Sequence, residues 1–151
     1  MNNIKQLNAN DPALAQEVFI LFRRVFDEVE IRSSDLPEAS YIKSLLDKNS
    51  FHVFAAISDN KVVGGLTAYD LEMYLKKEKE MYLYDLAVDE NYRRQGIARA
   101  LIEKLKDHAK HNNVSTIFVE AHREDVEAIE FYKSLDADME DVCHFNISIE
   151  R

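Results

Sequence analysis

A mixed β-sheet flanked by helices, an α/β (α+β) arrangement, is the fold class this chain predicts. Three observations carry that prediction. Strand-type and helix-type periodicities alternate along the 151 residues. Hydrophobic residues make up 46% of the chain, enough for one sizeable core at this length. No internal repeat, low-complexity tract or separating linker occurs, so a single domain over 1-151 is expected.

The elements follow in order. Ile4 to Leu7 reads as a short first strand. Asp11 and Pro12 mark a helix start, with Asp11 as N-cap and Pro12 at the first position. Leu14, Val18, Leu21, Phe22, Val25, Phe26 and Val29 then recur at helical spacing. Residues Arg32 to Pro37 break that helix, and Tyr41 to Asp47 suggests a second. Phe51 to Ile57 and Val62 to Tyr69 read as strands joined by a hairpin turn through Ser58, Asp59, Asn60 and Lys61. The charged run from Lys76 to Glu80 reads as a loop or a frayed strand end. A strand from Met81 to Val88 leads to a helix from Ile97 to His111, with Ile97, Leu101, Ile102 and Leu105 on its apolar stripe. Thr116 to Glu120 reads as a buried strand, Val126 to Ser134 as a helix, and Val142 to Ile149 as a final strand.

Charge and cysteine content narrow the function classes. Nineteen basic against 28 acidic residues give a net charge of −9, which disfavours general nucleic-acid affinity and permits attraction of a cationic partner. No run of about 18 apolar residues exists, so no membrane span is expected. The opening residues lack the apolar stretch of a secretory signal. Cys143 is the single cysteine, which fits a reducing cytoplasm, and in its apolar surroundings it reads as a packing residue.

The chemistry concentrates where the strand ending at Val88 runs into the helix starting at Ile97. Between them lie Arg93, Arg94, Gln95 and Gly96, one of only three glycines. A glycine there allows a tight turn that aims backbone N–H groups at a ligand, and the helix adds the positive end of its dipole. The arrangement points to a phosphate-bearing cofactor. A Walker-type loop is excluded by the lack of Gly-Lys-Ser/Thr, and two of the three dinucleotide-fingerprint glycines are missing. The alternative is an ordinary turn with solvated arginines.

Asp85 stands out on physical grounds. In a regular strand it would point with Leu83 and Ala87 into an apolar layer, where a lone carboxylate is costly. A β-bulge near Asp85 would remove the conflict and aim the side chain at a cleft. Further polar and charged groups, Glu120, His122, Glu124 and Asp125 after the fifth strand and Asp27, Glu28 and Glu30 at the end of the first helix, could hold an ammonium or hydroxyl group. Each also reads as ordinary surface charge. His122 has no companion His or Cys at ligand spacing, so no metal site is expected.

The spacing Arg93-x-x-Gly96-x-Ala98 resembles the acyl-CoA pyrophosphate loop of the GNAT N-acetyltransferase superfamily, and strand and helix order match that fold across essentially the whole chain. The resemblance implies a mostly antiparallel mixed sheet, splayed between its fourth and fifth strands, with acetyl-CoA as co-substrate. It narrows further. Glu80 to Val88, the Arg93 to Ala98 loop, the Glu127 to Leu135 helix and the Cys143-His-Phe-Asn-Ile ending together look like the aminoglycoside 3-N-acetyltransferases of the gentamicin/fortimicin type. The implied activity is acetylation of an aminoglycoside 3-amino group, with antibiotic resistance as the consequence.

The same resemblance assigns roles residue by residue. Leu86, Ala87 and Val88 would lie along the pantetheine, and the Leu86 N–H would polarise the thioester carbonyl. Arg93, Arg94, Gln95, Gly96, Ile97 and Ala98 would hold the pyrophosphate. Asp85 is the candidate general base, or else only an ammonium-binding group. Tyr132 falls at the tyrosine of the family's Asn-x-x-Ala-x-x-x-Tyr pattern, here starting at Asp125 with Ala128 between, and is the candidate general acid; a core tyrosine is the alternative. Two positions depart from the family: Asp125 stands for Asn, and Asp136 for a helix-ending Gly. Asp125 is therefore a candidate for substrate as well as cofactor. Another amine, such as a polyamine or an aminosugar, and a non-catalytic acyl-CoA-binding module stay open, as does a homodimer.

Overall fold

The structure is a computed structural model and describes residues 3–151. Its elements are β1 (Asn3–Gln6), α1 (Pro12–Asp27), α2 (Ala39–Leu46), β2 (Phe51–Ser58), β3 (Lys61–Glu72), β4 (Lys79–Val88), α3 (Ile97–His111), β5 (Val114–Val119) and α4 (Val126–Lys133). The five strands form one sheet in the order β1-β2-β3-β4-β5. Neighbours are antiparallel except β4 and β5, which run parallel across the α3 crossover. The sheet is therefore mixed and mostly antiparallel, as expected. The chain divides into two compact units, Met1–Val119, which holds the whole sheet, and Glu120–Arg151, whose one helix is α4.

Two adjacent glycines in β3 let helices approach the sheet on both faces, because consecutive strand residues point to opposite sides. A Cβ on Gly65 would lie 2.7 Å from Val18 Cγ1 of α1, and one on Gly64 would lie 3.1 Å from Ile97 Cγ2 of α3. Helix α1 buries Ala15, Val18, Leu21 and Phe22, while α3 buries Ile97, Leu101, Ile102, Leu105 and Ala109. Pro12 opens α1 as expected, but the Asp11 carboxylate does not cap it. It accepts instead from the Asn8 N–H at 2.9 Å and from Lys5 Nζ at 2.7 Å. Glu28 ends the helix in a left-handed conformation, so Val29 lies outside the periodic stripe. The hairpin turn carries Asp59 and Asn60 at φ 48° and 61°, the double left-handed geometry that suits a two-residue connection.

Two expectations fail. The β5 strand is not a buried one: Ser115 and Thr116 are exposed and the rest half-buried, because β5 closes the sheet and has β4 alone as strand neighbour. Residues Val142 to Ile149 form no strand. Their alternation suits one, but a ladder needs the N–H and C=O groups of a neighbouring strand, and no ladder includes this segment.

Candidate active site

The expected bulge is present in β4. Thr67 of β3 pairs with Asp85, and the next residue, Ala68, pairs with Leu83, so Tyr84 is the extra residue. The shift separates Asp85 from Leu83 in facing. Asp85 shares a face with Thr67 and with Gly65, the α1 side of the sheet, whereas Leu83 is buried. The Thr67 hydroxyl donates to Asp85 Oδ2 over a long 3.5 Å. Burial pushes the Asp85 carboxyl above the ordinary carboxylate range, the Thr67 hydrogen bond pulls it back, and the negative charge of Asp27 adds to the rise. A carboxyl held high in this way is a better proton acceptor than a surface aspartate.

Beside Asp85 lies an aromatic band that crosses four strands. Phe51 meets Tyr69 at 4.9 Å between ring centroids, Tyr69 meets the edge of Tyr84 at 5.5 Å, Tyr84 meets Tyr82 at 5.4 Å, and Tyr82 stacks on Phe118 at 4.7 Å. Tyr84 is 58% exposed and Tyr69 40%, so two ring surfaces stay open to a ligand. Burial raises the Tyr69 phenol, with Tyr84, Asp85 and Tyr41 of α2 adding to the shift. The site thus joins carboxylates from α1 and β4 to tyrosines from α2, β3 and β4. Thr67, Tyr69, Tyr82, Tyr84 and Phe118 were not singled out from the sequence. The available signal was the bulge itself, which places the residue before Asp85 on the same face.

The β4 backbone opens on its β5 side. An antiparallel ladder alternates hydrogen-bonded and non-bonded pairs, and the Asp89 N–H donates to the Val63 carbonyl at 2.8 Å. Gly65 and Ala87 are therefore a bonded pair, while Leu86 and Val88 turn their N–H and C=O groups away from β3. The β4–β5 ladder ends at Leu83 and Val119, so no β5 residue pairs with Leu86 or Val88. Val88 instead accepts from Arg93 Nε at 3.2 Å. The Ala87 side chain is 5% exposed and its backbone belongs to the β3 ladder.

The loop before α3 has the expected shape. Gly96 sits at φ 78° as the N-cap of α3, and Arg94 is also left-handed at φ 63°. Nothing lies within 4 Å of a Cβ placed on Gly96. Arg93, Arg94 and Gln95 are exposed, and the first-turn N–H groups of Ile97 and Ala98 have no carbonyl to reach inside the helix. The Ile97 side chain is buried against the sheet, so only its backbone is open to a ligand. The loop thus combines a left-handed glycine, exposed arginines and unpaired first-turn amides, the groups that could hold an anion.

In the unit Glu120–Arg151, Asp125 is occupied in capping α4, its carboxylate accepting from the Ala128 N–H at 3.1 Å. Burial, with the Asp125 charge adding, pushes the Tyr132 phenol up to about 12. Glu120 accepts from His144 Nδ1 at 2.9 Å, while His122 and Glu124 are exposed. The left-handed Asp136, at φ 58°, ends the helix region where glycine was the alternative.

Comparison with known proteins gives a consistent result. A profile described as the acetyltransferase (GNAT) family matches residues 15–136. The chain is similar to the crystal structure of an aminoglycoside acetyltransferase, HMB0005, from an uncultured soil metagenomic sample, with 37% identity, a TM-score of 0.94 and 99% of each chain covered. It is also similar to the aminoglycoside acetyltransferase meta-AAC0020 from an uncultured soil metagenomic sample, in complex with sisomicin, with 35% identity, a TM-score of 0.91, and 99% of this chain and 97% of that one covered. N-acetyltransferase 8 of Homo sapiens is 31% identical over 93 residues, 62% of this chain. The match spans 41% of that relative's length.

Proposed function

The chain belongs to the GNAT acetyltransferase family, and on that premise we propose that it transfers an acetyl group from acetyl-CoA directly to the 3-amino group of an aminoglycoside in the cytoplasm, conferring resistance. The observation that carries this reading is the bulge in β4, which sets a carboxyl of raised pKa beside exposed tyrosines and next to the open backbone edge of Leu86 and Val88. Likeness to two aminoglycoside acetyltransferases supports the substrate class, and the sequence resemblance supports the 3-amino position. The family match runs through both compact units, which supports one catalytic domain over 1-151.

Acetyl-CoA, when bound, supplies an activated acetyl thioester. Arg93, Arg94 and Gln95, with the backbone of Gly96, Ile97 and Ala98, hold its pyrophosphate by charge and by backbone N–H donation. The C=O of Leu86 and the N–H of Val88 are offered to the pantetheine, and the Leu86 N–H donates to the thioester oxygen as charge builds there. Asp85 holds the substrate ammonium and takes its proton, freeing the amine lone pair for attack. Asp27 and the faces of Tyr69 and Tyr84 receive the remaining cationic and ring surface. Glu120, His122 and Glu124 are the further candidates for holding an ammonium or hydroxyl group of the substrate.

On the sequence resemblance, Tyr132 is the group assigned to donate a hydrogen bond to the departing sulfur. A phenol pushed up to about 12 lies roughly 3 units above a thiol at about 8.5, so complete proton transfer to the thiolate would be uphill by about 4–5 kcal/mol. Water delivers the final proton, and Tyr132 stays protonated throughout.

Thiol release from acetyl-CoA, measured against a panel of aminoglycosides, polyamines and simple aminosugars, tests the reading. Turnover confined to aminoglycosides, with the acetyl group found on the 3-amino nitrogen by NMR of the product, is the expected result. Turnover restricted to polyamines or free aminosugars overturns the substrate class, and acetyl-CoA binding without turnover of any amine overturns catalysis.

A further inference from the structure

Arg24 lies in the last turn of α1, and its guanidinium leaves the helix toward the loop that follows β4. Its Nη2 donates to Asp89 Oδ2 at 2.8 Å, and its Nε stands 4.0 Å from a carboxylate oxygen of Glu30, beyond the left-handed Glu28 that ends the helix. The pair is partly sheltered, with the Arg24 side chain 38% and the Asp89 side chain 18% exposed. Shelter from water makes such a pair stronger than one on the open surface.

Asp89 is the root of the cofactor loop. Its N–H donates to the Val63 carbonyl at 2.8 Å, its own carbonyl accepts from the Tyr92 N–H at 2.9 Å, and its Oδ1 accepts from the Asn91 N–H at 2.9 Å. These bonds cap the short 3-10 turn Glu90–Tyr92, which leads directly into Arg93, Arg94 and Gly96. The remaining carboxylate oxygen goes to Arg24. A cavity of about 720 Å³, lined among others by Ile20, Leu21, Val62, Val63, Asn91 and Tyr92, opens between the turn and α1. The ion pair therefore spans a gap that apolar packing does not fill.

The other side of Arg24 faces the acceptor end of the site. Asp27 lies three residues on, one helical turn away, and its charge acts on Asp85. The chain beyond Glu30 leads to α2, whose Tyr41 acts on Tyr69. We propose that Arg24 is a positioning residue that couples the two substrate sites: through Asp89 it fixes the acceptor end of α1 to the cofactor loop, so the amine binds more tightly once coenzyme A occupies that loop. The inference rests on the acetyltransferase reading given above and adds a link between its two halves. A loop that grips a pyrophosphate holds Asp89 in place, and Arg24 then holds Asp27 and Glu30 in register with Asp85. The amine meets a site whose ordering cost is already met. Linkage requires that bound amine tighten coenzyme A by the same factor.

Isothermal titration calorimetry on the full chain tests the coupling, with sisomicin as the amine probe and coenzyme A, which has no acetyl group to transfer, as the cofactor probe. Sisomicin should bind about tenfold more tightly to the chain saturated with coenzyme A than to the free chain, a typical coupling between two sites. In Arg24→Met the ratio of the two affinities should fall to about twofold or less, with circular dichroism as in the wild type. Removing a positive charge changes each affinity by itself but cancels in the ratio, so a merely stabilising role would leave the ratio where it was. Arg24→Lys keeps a donor for Asp89 and should recover coupling that Met loses. A ratio near one in the wild type overturns the inference, as does an undiminished ratio in a folded Arg24→Met chain. Sisomicin that binds neither the free nor the loaded chain overturns the aminoglycoside reading, and this inference with it. Should Arg24→Met fail to fold, Asp89→Asn breaks the pair from the other side at nearly constant shape and decides by the same ratio.

Discussion

The Thr67 hydroxyl reaches a carboxylate oxygen of Asp85 at 3.5 Å, straight across the β3–β4 ladder at the bulge. It opposes the two influences that raise the Asp85 carboxyl, burial and the Asp27 charge. Thr67→Val removes the hydroxyl at nearly constant shape, so the Asp85 pKa should rise further. The acid limb of kcat/KM, which reports loss of the carboxylate as pH falls, should then move to higher pH. A pH–rate profile of the variant checks this; an unmoved limb would detach Thr67 from the titration.

Asp85→Asn should lower kcat by about 10²–10⁴-fold, the usual contribution of a positioned general base. The amide keeps the size but cannot take the ammonium proton, so the defect should shrink as rising pH supplies free amine. Single changes at Glu120, Glu124 or Asp125 should cost far less, since an exposed ion pair is worth about 0–1 kcal/mol. An Asp85→Asn enzyme with intact kcat and a raised amine KM would make Asp85 a binding residue.

Tyr132→Phe should lower kcat by about tenfold, with little change in either KM, because one hydrogen bond is worth about 0.5–1.5 kcal/mol net. The basic limb of the pH profile should not trace to Tyr132 below pH 10, since its phenol is pushed up to about 12. Steady-state kinetics across pH separates the two. Wild-type turnover would leave Tyr132 as a packing residue.

Gly96→Val places a branched side chain where the structure has room but the backbone is left-handed at φ 78°. Strain should cost about 1–2 kcal/mol of stability without unfolding the chain. The larger effect should be on acetyl-CoA, whose KM should rise at least tenfold as the side chain blocks approach to the α3 amides. Calorimetry and acetyl-CoA saturation curves report the two effects separately, and an unchanged KM in the folded variant refutes the loop assignment.

Tyr84→Leu keeps an apolar group on the bulge but removes the 58% exposed aromatic surface and its edge contact with Tyr69. The KM of a ring-bearing amine should rise several-fold, in line with about 0.5–1 kcal/mol for an exposed cation–π contact. Acetyl-CoA KM should hold. Equal losses toward both substrates would mean that the substitution disturbs the bulge instead.

Local patterns are legible in the sequence itself. Helix α3 occupies Ile97 to His111 as its apolar stripe predicts, Asp59 and Asn60 make the expected turn, and Asp85 betrays the bulge because a carboxylate breaks the alternation of its strand. Such features depend on residues within one or two turns of each other, and the chain encodes them directly. The rest depends on what lies across a ladder. Tyr69 meets Tyr84, and Phe118 meets Tyr82, through registers set by distant strands. The pairing of Ala87 with Gly65 is likewise set across a ladder, and Asp125 caps a helix. Residues 142–149 show the division most clearly. Their two-residue period is written in the sequence, but a strand is completed by another strand's N–H and C=O groups, and only the tertiary arrangement decides whether any neighbour supplies them.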